Sequence, residues 1–166
     1  MKGTFTAVAI LVAISAIPVT LAAKEKAVRI TVSGGNLATS VEITDPKILG
    51  NFNVWTGPGT SLNDAEGFIV QWSRGAIAEP PSRLPQYQVS FYTERSAERP
   101  FYVVFYCYDP SLRRGFAHFP SFAEKWYPQD VDTIFRGVEG NWFFSRTLWD
   151  AAIEPLIAKS EGKKAS

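Results

Sequence analysis

Apolar and polar residues alternate in several short windows of this chain, and a period of two marks each window as a strand with one face buried. Val28, Ile30 and Val32 alternate with Arg29 and Thr31. After a turn at Ser33-Gly34-Gly35-Asn36, Val41 and Ile43 flank Glu42, so the first two strands are expected to form a hairpin. Tyr87, Val89 and Phe91 alternate with Gln88, Ser90 and Tyr92 in a strand running to Thr93. Phe101 to Tyr108 carries no charge and no proline, and so strong a β window belongs at the centre of a sheet rather than at an edge. Gly115 to Phe119 reads as a further strand and Phe68 to Trp72 as a short one. Val131 to Arg136 and Asn141 to Phe144 read as hairpin arms around Gly137-Val138-Glu139-Gly140.

Helical signals are fewer. Asp45-Pro46 is an N-cap followed by a first-turn proline, and Gly50 closes a single short turn. Near the C-terminus Leu148, Trp149, Ala152, Ile153, Leu156 and Ile157 recur at helical spacing and form one apolar stripe. Thr147 is placed to cap this helix, with Asp150 three residues on completing a capping box, while Pro155 removes one backbone bond. Residues 51–66, with Gly57-Pro58-Gly59, and residues 74–85, with Pro80, Pro81 and Pro85, read as loops, as does Trp126-Tyr127-Pro128. The fold class is therefore α+β: a mostly antiparallel β-sheet of about six or seven strands with one C-terminal helix packed on it.

The first residues change the picture of where this domain works. Lys2, the apolar run Ala7 to Ile17, the helix-breaking Pro18 and the small-residue site Thr20-Leu21-Ala22 have the layout of an export signal. Residues 1–22 are expected to be removed, leaving one domain over residues 23–158, a polar tail over residues 159–166 and no membrane span. The product is expected to be secreted or periplasmic. Lysine plus arginine number 17 and aspartate plus glutamate 16, and signal removal takes Lys2 and no acid, so the charges balance. A neutral chain without a basic block is a poor ligand for a phosphate backbone, and no nucleic-acid partner is expected. The 46% hydrophobic and 14% aromatic content argues against disorder.

Candidate chemistry is sparse. The single cysteine, Cys107, excludes an internal disulfide, and its place on the apolar face of its strand suits a buried thiol better than a nucleophile. The single histidine, His118, excludes sites that need two. Asp130 and Asp132 lack the glycine and distal glutamate of a calcium loop, and the glycine pairs fit no phosphate-cradling pattern, so neither metal nor cofactor is expected. One histidine can still act as general acid beside a carboxylate base. A small secreted hydrolase of phosphodiesterase or nuclease type would use His118 with one of Glu66, Glu94 and Glu124. Nothing in the spacing selects one of them; the set taken for this alternative is His118, Glu94 and Arg114, with Arg114 or Arg113 steadying a phosphate.

The aromatics point elsewhere. Flat rings on loops and strand faces can stack on sugars or on a partner's side chains, and Trp55, Tyr108, Trp126 and Tyr127 are the candidates. The leading expectation is thus an exported, non-enzymatic domain that binds an envelope protein or a glycan through these residues. An immunity-type protein that masks a partner would need the same kind of surface.

Tyr108-Asp109-Pro110, Arg114-Gly115-Phe116, Pro120, Trp126-Tyr127, residues 136–143 and Trp149-Asp150 together resemble a family of uncharacterised secreted bacterial proteins. Ile30-Thr31-Val32-Ser33-Gly34 and Val41-Glu42-Ile43-Thr44-Asp45-Pro46 look similar too. The resemblance implies a β-rich exported domain and assigns no activity or site residue.

Overall fold

The computed structural model describes residues 25–60, 67–79, 83–134 and 136–162, with the side chains of the last two outside the description. The expected signal at residues 1–22, the candidate Glu66 and the end of the tail lie outside these residues. The described elements run β1 (Arg29–Gly34), β2 (Val41–Ile43), α1 (Pro46–Leu49), β3 (Ala76–Ile77), β4 (Gln86–Tyr92), β5 (Tyr102–Asp109), β6 (Arg114–His118), α2 (Tyr127–Thr133), β7 (Trp142–Phe144) and α3 (Thr147–Gly162). Every strand pair is antiparallel, in the order β2-β1-β4-β5-β6-β7-β3. β5, which is uncharged up to Tyr108, holds the middle place, where both of its edges are paired.

Register divides the sheet into two faces. Ile30 pairs with Phe91, Val89 with Val104, Tyr87 with Tyr106, and Ala117 with both Tyr106 and Phe143. With side chains alternating along each strand, these residues share the inner face. Trp149, Ile153 and Ile157 of α3 pack on it together with Phe52, Val54 and Phe68. The Trp149 ring meets Phe52 edge-on at 5.0 Å and Tyr106 at 5.9 Å. The opposite, outer face carries Gln88, Val103, Phe105, Cys107, Phe116, His118, Trp142 and Phe144.

The α3 stripe is narrower than the spacing implied, because Leu148 is 45% exposed. Asp150 does not complete a capping box. Its carboxylate turns inward, accepting from the Tyr106 hydroxyl at 2.8 Å, from the Gly115 amide at 3.0 Å and from the Ser145 hydroxyl. Pro155 remains inside the helix on its exposed side. The expected α1 forms, capped by Asp45 accepting from the Lys47 amide at 2.8 Å.

Four local expectations are corrected. Val131 to Arg136 is not a hairpin arm, and Trp126-Tyr127-Pro128 is not a loop. Tyr127 opens α2, whose first turn tolerates Pro128, and Val131 is a half-buried residue of that helix. Phe68 to Trp72 forms no ladder beyond one bridge between Val70 and Ser145. Phe68, Ile69 and Val70 are all fully buried, which is packing from both sides rather than alternation. The 74–85 loop contains the short edge strand β3, paired with β7.

The β5–β6 register ends at Phe105 opposite His118, two residues before Pro120. The Val103 amide donates to Asp130 Oδ1 of α2 at 3.0 Å. Beside it Arg136 is 97% buried, with its guanidinium 4.4 Å from the Phe68 ring, 5.0 Å from Tyr102, 5.5 Å from Trp72 and 5.7 Å from Phe119. None of its three side-chain nitrogens meets an acceptor, and Asp130 Oδ2 meets no donor. Burial pushes the Asp130 carboxyl up to about 8 and lowers the Arg136 guanidinium.

Candidate functional site

Tyr108 is the expected binding residue that lines a cavity. It stands on the inner face two residues beyond Tyr106, past the cover of Trp149, and is half-buried. The β4–β5 register ends at Gln86 opposite Cys107, so Pro85 falls beside Tyr108 where a further rung would form. Proline cannot donate there, and the strands part. The result is a groove of about 390 Å³ walled by Leu84, Pro85, Tyr87 and Tyr108 on the sheet side and by Glu154 and Ile157 of α3. The turn after β1 forms one lip. Gly35 sits at φ +55, and a Cβ there would lie 2.4 Å from the Tyr87 ring, so only glycine lets this turn rest on the tyrosine.

Tyr108 and Glu154 also wall a second, more polar cavity of about 290 Å³ that includes Arg113 and Thr147. Tyr108 is thus a partition between an apolar groove and a charged one. Burial first, and the Glu154 carboxylate second, hold its phenol above the ordinary value. At neutral pH it therefore offers a hydroxyl that both donates and accepts. Asp150 lines the polar cavity as well, but its hydrogen bonds are already committed inside the protein.

The other expected binding residues lie apart from the groove. Trp55 is half-buried, stacks on Phe101 at 6.3 Å and donates through Nε1 to the Glu25 carbonyl at 2.9 Å. Trp126 donates through Nε1 to Gln88 Oε1 at 2.9 Å, with the Lys125 ammonium 4.6 Å from its ring. Tyr127 meets Phe122 edge-on at 5.4 Å, and Phe122 is 84% exposed. Pattern reading missed Phe122 because an isolated phenylalanine in a turn carries no periodic signal.

His118 pairs with Glu124, not with Glu94. Its Nε2 lies 3.0 Å from Glu124 Oε2, which also accepts from the Ser121 amide at 2.6 Å. Burial acts to raise the Glu124 carboxyl, but the bonds from Ser121 and His118 outweigh it and hold the group below its ordinary value. Glu94 is exposed in the turn beyond β4, six residues past Gln88 of the row that contains His118. Arg114 begins β6 four residues before His118, about 13 Å along the strand. The expected His118, Glu94 and Arg114 set is therefore not assembled. The imidazole is instead clamped between Trp142 at 4.6 Å and Phe105 at 6.2 Å, with Nδ1 buried and without a partner. Such a histidine ties the 121–126 loop to the sheet and has no open approach for a substrate.

Cys107 is buried, and burial pushes its thiol up to about 11, so it is neutral and unreactive at ordinary pH. Among the described residues no group of three or more His, Cys, Asp or Glu is placed to hold a metal ion, and no helix is long and apolar enough to cross a membrane. No family model, curated protein or solved structure matches the chain.

Proposed function

We propose that the chain is an exported, non-enzymatic binding domain. Its site is the Tyr108 groove, and its ligand is a segment of an envelope protein that presents an apolar side chain beside a basic one. The observation that carries this reading is the position of Tyr108, an inner-face residue left half-open where Pro85 ends the β4–β5 ladder. A cleft of this volume falls within the range that small ligands and anchoring side chains occupy. Its walls are mainly apolar, and Glu154 is the charged group on its rim. An apolar anchor would fill the cleft, with a lysine or arginine facing Glu154. A sugar would leave most of its hydroxyls without partners there. Export is supported by Lys2, the apolar run that follows it, and Thr20-Leu21-Ala22.

A random peptide library selected on the protein tests this reading. The selected peptides should share an apolar residue next to lysine or arginine. Tyr108→Ala should weaken them about tenfold and Glu154→Gln about threefold, since a packed aromatic outweighs an exposed ion pair. Peptides that bind the Tyr108→Ala protein as well as the wild type would place the site elsewhere.

A further inference from the structure

The outer face of the sheet carries a second constellation, separate from the groove. Phe144 of β7 has two guanidiniums against its ring, Arg74 at 3.9 Å and Arg114 at 4.7 Å from the centroid. They come from different places, the end of the 3-10 turn Trp72–Arg74 and the start of β6. Neither guanidinium has a hydrogen bond or an ion pair among the described residues. Asp109 faces Arg114 across the β5–β6 ladder, but its carboxylate accepts from the Ser111 amide and hydroxyl and from the Leu112 amide. Glu124 is similarly taken up by His118 and Ser121. Two like charges therefore share one ring, and neither is held in an ion pair among the described residues, although the Arg114 charge is felt by the Asp150 carboxyl. A guanidinium resting against a ring keeps edge N–H groups free to grip an acceptor in its plane.

Beside the cations runs a ladder of rings. Trp142, His118 and Phe105 stack across three adjacent strands at interplanar angles of 26° and 19°. Trp142 is half-buried and stands two residues from Phe144 on the same face, about 7 Å away along the strand. That separation is close to the length of one sugar ring. We propose that this face binds an acidic glycan, whose carboxylates or sulfates are met by Arg74 and by Arg114 beside Phe144, with an adjoining sugar ring stacked on Trp142. A nucleic-acid strand also offers rings and anions. It carries a charge on every nucleotide and needs a run of cations, whereas this patch offers a pair in a chain whose charges otherwise balance.

Calorimetry with short oligomers of galacturonate, guluronate, mannuronate and chondroitin sulfate tests the proposal. The fully methyl-esterified galacturonate oligomer and a ten-residue thymidine oligonucleotide serve as comparisons. At least one acidic oligomer should bind, and weakening should follow added salt. Esterification, Arg74→Gln and Arg114→Gln should each reduce affinity about tenfold, the value of one charge-assisted contact. Arg114→Lys should recover only part of the loss, because an ammonium keeps the charge and loses the planar grip. Melting curves of the variants establish that they are folded. Arg74 is exposed, so its variant keeps the test open should Arg114→Gln unfold. Absence of binding by every acidic oligomer, full affinity in Arg74→Gln, or tighter binding of the oligonucleotide would each overturn the proposal.

Discussion

On the inner face of the sheet the Asp150 carboxylate meets three donors, while on the outer face Arg74 and Arg114 lean on one phenylalanine ring and meet no acceptor among the described residues. Both are charge-bearing groups among aromatics, yet only the Asp150 carboxylate completes its hydrogen bonds from within the described chain. A closed network rigidifies a core, because each buried polar atom has a fixed partner. Open, half-exposed donors cost little while water serves them, and they remain available to a ligand. The contrast separates what holds this protein together from what it presents outward.

The sharpest way to break the comparison is to crowd the inner network. A Cβ at Gly115 would lie 2.2 Å from Asp150 Oδ1 and 2.4 Å from the Ser145 hydroxyl oxygen. Gly115→Ala should therefore cost about 3 kcal/mol or more in urea unfolding, by forcing the network apart. Arg136 offers a contrasting case inside the core, a buried cation with rings around it and no acceptor. Arg136→Ala should cost about 2–3 kcal/mol for the cavity it leaves, whereas Arg136→Met should cost less than about 1 kcal/mol and can stabilise. Equal losses in the two variants would mean that the charge itself, rather than the volume, is what the rings need.

Asp130 sharpens the comparison through pH. Its carboxyl titrates near 8 in the folded protein against an ordinary 3.8, so the folded state keeps a proton that the unfolded chain releases. That contribution is complete below about pH 4 and is lost as pH rises through about 8, with a slope of up to about 1.4 kcal/mol per pH unit. Asp130→Asn imitates the protonated group and can still accept from Val103, so it should flatten the slope by about one proton. A remaining slope of the same sign is expected from Asp150, which burial also raises. An unchanged slope would show that Asp130 is ionised in the folded state. The smallest effect is expected at the groove, where Tyr108→Ala should cost about 1 kcal/mol because part of its surface is already in water.

The sheet was legible because β1, β4 and β5 alternate cleanly and because a window as apolar as Phe101 to Tyr108 must have strands on both sides. Alternation also identified the two faces of β5. It could not show which face α3 would cover, since both are rich in aromatics. The main failure is at α2, where the spacing of Val131 and Ile134 suits either a strand or a helix. Of the candidate site, Tyr108 could be found from its place at the end of a strand. Its partners Pro85 and Glu154 could not, because a groove between a ladder's end and a helix has no local sequence signature. Arg74 and Phe144 stand 70 residues apart, and the β7–β3 pairing together with the Gln71 amide donating to the Phe144 carbonyl brings them together.

Urea unfolding of Trp149→Ala beside Trp142→Ala puts the division of labour between the two faces to the most direct test. Trp149 is fully buried under the inner face, and its loss should cost about 3–5 kcal/mol. Trp142 is half-buried on the outer face against His118, and its loss should cost about 1 kcal/mol. Comparable losses from the two variants would contradict the account, because they would make the outer ring ladder a second core rather than a surface held ready for a ligand.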